Sequence, residues 1–261
     1  MRLACALILF SVLGVSVVFA DWRVASSEKE FSPNELAEHW TIKVENAEAN
    51  LRATLHLVAF DSAVASLRVI DQPSPPREDL ATAIKLTNAV AGVNGGYFDS
   101  ADAPLGLLVS DGRVLSPLRK AKLLTGLLFT KEDRIDIVRA NRFSLKEKPE
   151  AAVQCGPLLI DHGQPVAGLN DSRTARRSFA AVNGKGRVAL GISSSVSLAQ
   201  LSQILCLTNT AGPFKIARAL NLDGGSSTAF WFASSHGTVS LPEQKTVRDF
   251  VIVVPRTATK R

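Results

Sequence analysis

Residues 219–230 read Ala-Leu-Asn-Leu-Asp-Gly-Gly-Ser-Ser-Thr-Ala-Phe. An apolar run is closed by Asp223, two glycines follow, and Ser226, Ser227 and Thr228 lead into a second apolar run ending at Phe232. Glycine alone takes positive φ without steric cost, so two strands joined through Gly224 and Gly225 are expected to form a tight hairpin or a bulge. If alternation holds, Leu220 and Leu222 share one face, and Asn221 and Asp223 share the other. Two polar side chains then stand beside a backbone that a ligand can approach closely. The same Asp-Gly-Gly-Ser is also the composition of an ordinary exposed turn, so the rest of the chain carries the weight.

Residues 89–99, Ala-Val-Ala-Gly-Val-Asn-Gly-Gly-Tyr-Phe-Asp, repeat this grammar: an apolar strand, Asn94, Gly95 and Gly96, an aromatic pair and Asp99. A glycine pair after a buried strand is where backbone amides can be bared toward an oxyanion or a sugar hydroxyl. No Gly-Lys-Ser/Thr follows, which excludes a P-loop, and the three-glycine spacing of a dinucleotide fingerprint is missing.

Arg2 precedes an uncharged run over residues 3–19, and Ala20 stands before Asp21, the pattern of a cleaved signal peptide over residues 1–20. The expectation is a periplasmic or secreted protein with no stable membrane span after cleavage. Residues 21–38 are polar and read as a flexible lead-in. Residues 39–261 read as one domain, long enough to bury a substantial core. The net charge of +6 is mild and the basic residues are scattered. Arg176 and Arg177 read as a solvated pair without interleaved aromatics, so nucleic acid is not an expected partner. Cys5 leaves with the signal. Cys155 and Cys206 are open to two readings, a disulfide in an oxidising compartment or two buried thiols. The histidines, at 39, 56, 162 and 236, show no pairing with Ser226 that would suggest a serine triad.

Along the chain, residues 54–60 and 65–70 read as strands around Asp61 and Ser62. Pro76 opens a helix reaching Asn88, with Leu80 and Ile84 on its apolar face. Asp111-Gly112 marks a hairpin, residues 125–130 and 134–139 form a strand pair, and residues 151–160 form a strand bent at Gly156-Pro157. Residues 178–182 and 187–192 make a further hairpin, Ser197 opens a capped helix to about Leu207, and residues 250–255 close the chain as a strand. The expected class is α+β: a largely antiparallel multi-stranded sheet with a few flanking helices.

Four stretches together, residues 93–99, 154–160, 173–175 and 221–228, resemble the phosphodiester glycosidase domain in order and spacing, over nearly the whole mature chain. The family's animal member removes N-acetylglucosamine from a mannose 6-phosphate diester. The resemblance implies an exported hydrolase that cuts a sugar-1-phosphodiester in a phosphorylated glycan or glycolipid. Its site would draw on Asn94, Gly95, Gly96, Phe98, Arg173, Thr174, Asn221, Asp223, Gly224, Gly225 and Ser226. A guanidinium binds phosphate through two parallel hydrogen bonds, which makes Arg173 the expected clamp. Asp223 is the expected carboxylate, with Asp99 second; Asn94 and Asn221 would hold sugar hydroxyls and Phe98 would form an apolar wall. No clustered ligand spacing accompanies the aspartates, and neither metal nor cofactor is expected. The alternative is an exported glycan- or phosphate-binding protein without turnover, using the same loops for recognition.

Overall fold

The structure, a computed structural model, describes residues 22–207 and 214–256. The expected signal peptide lies outside these residues. In chain order the first half contains β1 (Arg23–Phe31), β2 (Ala37–Asn46), β3 (Leu51–Asp61), β4 (Ala65–Asp71), α1 (Leu80–Lys85), β5 (Ala91–Asn94), β6 (Leu108–Ser110), β7 (Arg113–Ser116), β8 (Gly126–Lys131) and β9 (Arg134–Arg139). The second half contains β10 (Ala151–Cys155), β11 (Leu158–Asp161), β12 (Gln164–Pro165), β13 (Ala175–Val182), β14 (Arg187–Val196), α2 (Leu198–Cys206), β15 (Arg218–Asn221), β16 (Phe230–Ser234), β17 (Gly237–Leu241) and β18 (Asp249–Pro255).

These strands form three antiparallel sheets. The large sheet runs β1-β2-β3-β14-β13-β15-β11-β12; one five-stranded sheet runs β7-β6-β10-β8-β9 and the other β17-β16-β5-β18-β4. The main core is shared by all three, with Val58, Leu190 and Leu220 from the large sheet meeting Leu128 and Val153 from one small sheet and Val93, Phe230 and Val251 from the other. The opposite face of the large sheet buries Leu55, Phe179 and Ala189 against Leu201, Ile204 and Leu205 of α2. Along β14, Val188 and Leu190 face one core while Ala189 faces the other, so this strand reads as a continuous apolar run.

The α+β expectation is therefore corrected to a largely β-sandwich architecture. The two helices carried the strongest local signals, yet they only cover outer faces. The Ser197 hydroxyl accepts from the Gln200 amide and the Gln200 side chain accepts from the Ser197 amide, closing the capping box of α2. The first helix starts later than Pro76 suggested, because Asp79 is its cap, accepting from the Thr82 amide at 2.7 Å. Fold class is decided by what covers the sheet faces, and here sheets cover sheets.

Two further expectations change. Half of the expected flexible lead-in is instead the strand β1, paired with β2 from Arg23 opposite Glu45 to Phe31 opposite Glu38. Its polar, charged residues belong to an edge strand, where charge discourages pairing with other chains. The segment through Gly224-Gly225 is not a hairpin, because β15 belongs to the large sheet and β16 to a small one. Asp111-Gly112 does turn a hairpin, both residues having positive φ. Cys155 and Cys206 are both free thiols, Cys155 buried.

Between the large sheet and β16, His39 and His56 stack with ring centroids 5.4 Å apart, and Phe230 and Phe232 pack on His39. His39 Nδ1 lies 2.8 Å from Glu30 Oε1, and Glu30 also accepts from the Ser234 hydroxyl. Burial, aided by the neighbouring His39, pushes His56 down to about 4, and burial lowers His39 as well. An imidazole whose folded pKa lies below its unfolded value favours the fold while neutral, so this stability is complete above about pH 6.5 and drains as pH falls toward 4. The melting temperature is expected to drop across that interval, and His56→Gln to flatten the drop. A wild-type melting temperature independent of pH between 7 and 4 would remove the argument.

Candidate active site

Three of the chain's crossings between sheets come together at one place. Residues after β5 lead to the sheet of β6, Gly156-Pro157 carries the chain from β10 to β11, and residues 222–229 carry it from β15 to β16. Each crossing leaves its strand hydrogen bonds unfinished, and they finish on one another. The Asp223 amide donates to the Gly95 carbonyl at 3.0 Å, and the Asn221 amide donates to the Pro157 carbonyl at 3.1 Å. The Tyr97 hydroxyl donates to the Gly156 carbonyl at 2.6 Å and accepts from Asn221 Nδ2 at 2.9 Å.

The predicted residues divide by how they are used. Asn94 is fully buried: its Nδ2 donates to the Asp223 carbonyl at 2.8 Å, and its Oδ1 accepts from the Ser178 hydroxyl at 2.6 Å and the Ala229 amide at 3.1 Å. These bonds commit its amide to tying β5, β13 and the segment before β16 together, rather than to sugar hydroxyls. Asn221 is likewise buried, although its Oδ1 has no partner. The Gly95 and Gly96 amides are not bared: they donate to the carbonyl and to Oδ1 of Asp249 at 2.9 and 3.0 Å. Asp99 is exposed, with Oδ1 accepting from the amides of Ala101 and Ala103, which makes it a turn residue.

Asp223 stands at this junction, its amide bonded to the Gly95 carbonyl. It is half-buried, and burial raises its pKa, while the Ser227 hydroxyl, the Gly224 amide at 2.9 Å and the charge of Lys245 act the other way. Gly225 takes φ 64° in a short turn whose surroundings leave open space beside it. Ser226 is exposed, and its carbonyl accepts from the Gln244 amide at 2.7 Å, pinning the loop after β17 onto this turn. Phe98 is half-buried, with Lys245 Nζ 4.8 Å from its ring centre. Arg173 and Thr174 are exposed on the approach to β13. Arg173 touches this cluster through its backbone: its carbonyl accepts from Arg177 Nη2 at 2.7 Å.

Sequence reasoning missed Asp249, Lys245 and Arg176. Asp249 is buried at 2% exposure beneath the Gly95 turn, and its pKa is raised to about 7 by burial, with Asp71 and Asp223 adding to the rise against the Gly96 amide and Arg248. Its Oδ2 has no hydrogen-bond partner. Arg176, expected at the solvated surface, is half-buried: Nε donates to the Gly225 carbonyl at 3.3 Å and Nη2 is buried without an acceptor. Its position one residue from the Arg-Thr-Ala stretch was the available signal. Lys245 precedes the last strand and Asp249 opens it, in a stretch with no pattern of its own. A concavity of about 610 Å³ lined by Trp22, Val166, Leu169 and Cys206 shares no residue with this junction. Among the described residues no cluster of acids, histidines or cysteines could hold a metal ion, and no helix is long and apolar enough to cross a membrane.

A three-sheet β protein with a half-buried carboxylate flanked by cations at the sheet junction has the equipment to bind an anionic ligand beside a base. The chain belongs to the phosphodiester glycosidase family, whose sequence profile matches residues 87–254, and that family is hydrolytic. It is 27% identical over 114 residues to the protein YigE of Escherichia coli strain K12, a match covering 40% of this chain and 45% of that one. Its fold resembles the catalytic domain of zebrafish N-acetylglucosamine-1-phosphodiester alpha-N-acetylglucosaminidase, solved in a form auto-inhibited by its pro-peptide, with TM-score 0.66, 13% identity and 88% of each chain covered. A protein of Synechocystis matches with TM-score 0.57 and 16% identity, over 85% of this chain and 62% of that one.

Proposed function

We propose that this protein is an exported hydrolase, periplasmic or secreted, that cleaves the bond between a sugar's anomeric carbon and a phosphodiester oxygen in a phosphorylated glycan or glycolipid. The observation that carries the reading is Asp223, a half-buried carboxylate of raised pKa, with Lys245 acting on it from one loop and Arg176 held on the adjoining turn by the Gly225 carbonyl. Export rests on the composition of residues 1–20.

In such a cleavage the departing group is a phosphate monoester whose second pKa is about 6, so it leaves as a stable anion with little help from a general acid. The demands fall on a cation at the phosphate and a carboxylate at the carbon. Lys245 and Arg176 take the first role, and the otherwise unmatched Nη2 of Arg176 gains an acceptor in the phosphate. Asp223 takes the second, activating water or attacking directly, and the anomer first formed distinguishes the two. Phe98 supplies the apolar wall, and Asp249 holds the Gly95 turn that positions Asp223.

The test is hydrolysis of sugar-1-(nitrophenyl phosphate) diesters in oxygen-18 water. Label in the sugar supports anomeric cleavage; label in the phosphate shows P–O cleavage and overturns the reading. Because Asp223 must be ionised to act, kcat/KM is expected to rise with pH through a midpoint above the usual carboxylate value of about 4. A pH profile flat from 4 to 7 would contradict that role for Asp223.

A further inference from the structure

Half-buried arginines in this protein nearly all have a carboxylate. Arg77 pairs with Asp102, Arg187 with Glu38, Arg218 with Asp136 and Asp161, Arg248 with Asp71, and Arg256 with Asp133. Among the described residues the exceptions at this level of burial are Arg176 and Arg177, which adjoin each other at the junction just described. Burying a guanidinium without a counter-charge is costly, and ordinarily such groups are paired.

Arg177 is held by neutral acceptors only, Nε donating to the Val196 carbonyl at 3.0 Å and Nη2 to the Arg173 carbonyl at 2.7 Å. That second bond fixes it beside another cation. Arg173 is exposed, and no hydrogen bond or ion pair engages its guanidinium among the described residues. Burial and the charge of Arg173 together depress the pKa of Arg177, as expected of two like charges held close. The pair borders the site: Arg177 acts electrostatically on Tyr97, whose hydroxyl lies against Asn221, and Tyr97 in turn feels Asp223. Two adjacent cations, neither neutralised, thus stand beyond the two already assigned to the scissile phosphate.

We infer that the substrate carries a second negative charge besides the scissile phosphodiester, and that Arg173 and Arg177 seat it. This rests on the hydrolase reading for the site itself. The shared chemistry is an anionic oxygen group within reach of two guanidiniums; its sources are a second phosphate, as in a chain of repeating phosphodiesters, or the carboxylate of an acidic sugar.

The experiment compares kcat/KM for three nitrophenyl phosphodiesters, of a neutral hexose, a hexose 6-phosphate and a hexuronic acid, with the wild type and Arg173→Gln/Arg177→Gln. At least one charged substrate is expected to be favoured by about tenfold or more over the neutral one, with the preference falling as salt rises and disappearing in the double variant. Which charged substrate is favoured identifies the source. Equal kcat/KM for all three in the wild type overturns the inference while leaving the hydrolase reading standing. If none is hydrolysed, the hydrolase reading fails, and calorimetric binding of the same three compounds still decides the inference. A charge preference lost in the double variant upholds it; no binding, or binding without preference, overturns it. Circular dichroism melts of the double variant, expected to match the wild type, separate loss of the seat from loss of the fold.

Discussion

Asp223→Asn is expected to abolish turnover of a sugar-1-phosphodiester, lowering kcat by about 10³-fold or more while KM changes little. The amide keeps the shape and can still accept from the Gly224 amide, which now donates to Asp223 Oδ1 at 2.9 Å. What it loses is the negative charge and the basicity that burial has raised. Stability is expected to be unchanged or slightly higher, because a half-buried charge is exchanged for a neutral group. Ligand affinity should survive, since Lys245 and Arg176 remain. A protein that binds without turnover predicts the same retained affinity but no activity to lose, so wild-type turnover separates the two readings. An Asp223→Asn variant that keeps wild-type kcat would remove Asp223 from the chemistry.

Gly95→Ala is expected to be among the most damaging single methyl additions in the domain. A Cβ at Gly95 would sit 1.7 Å from Asp249 Oδ1 and 3.2 Å from the Asp249 carbonyl. The carboxyl cannot swing aside freely, because the same oxygen accepts from the Gly96 amide in a fully buried setting. The cost is about 3 kcal/mol by analogy with overpacked cores, or about 6–12 °C of melting temperature for a domain of this size. Asp249→Ala removes the obstructing group, so Gly95→Ala should cost less in that background, a coupling readable from a double-mutant cycle. Gly225→Ala is the contrast: its φ of 64° strains any other residue, but nothing lies within 4 Å of the added Cβ. Its cost should be about 1 kcal/mol. Equal losses for the two variants would show that the contact with Asp249 does not govern Gly95.

Much of the candidate site was legible as spacing. The two Gly-Gly stretches each follow an apolar strand, and each proved to be a crossing between sheets, where a ligand can meet loops held by rigid elements. Asp223 was readable because it closes one such strand. Asn94 and Asn221 were readable as important but not in kind, since a buried asparagine that ties three segments together and one that holds a sugar leave the same letter in the chain. Asp99 was ambiguous in the sequence because aspartate serves turns as readily as chemistry, and its Oδ1 accepts two turn amides. Lys245 and Asp249 left no local mark: their significance comes from residues about 150 positions away in the chain, at Phe98 and Gly96.

The amino-acid order by itself determined many of the strands, the Asp111-Gly112 turn and the capped helix, because these depend on neighbours within a few residues: alternation, glycine φ and side-chain caps. It also marked the family, through motifs whose spacing survives without any knowledge of packing. Only the tertiary structure decided that sheets cover sheets, that the polar N-terminal stretch is an edge strand, and that Asp249, rather than Asp99, is the aspartate buried beneath the Gly95 turn. Those outcomes depend on which distant surfaces exclude water from one another. Burial is also what raises one carboxyl to about 7 and leaves two neighbouring guanidiniums without a counter-charge.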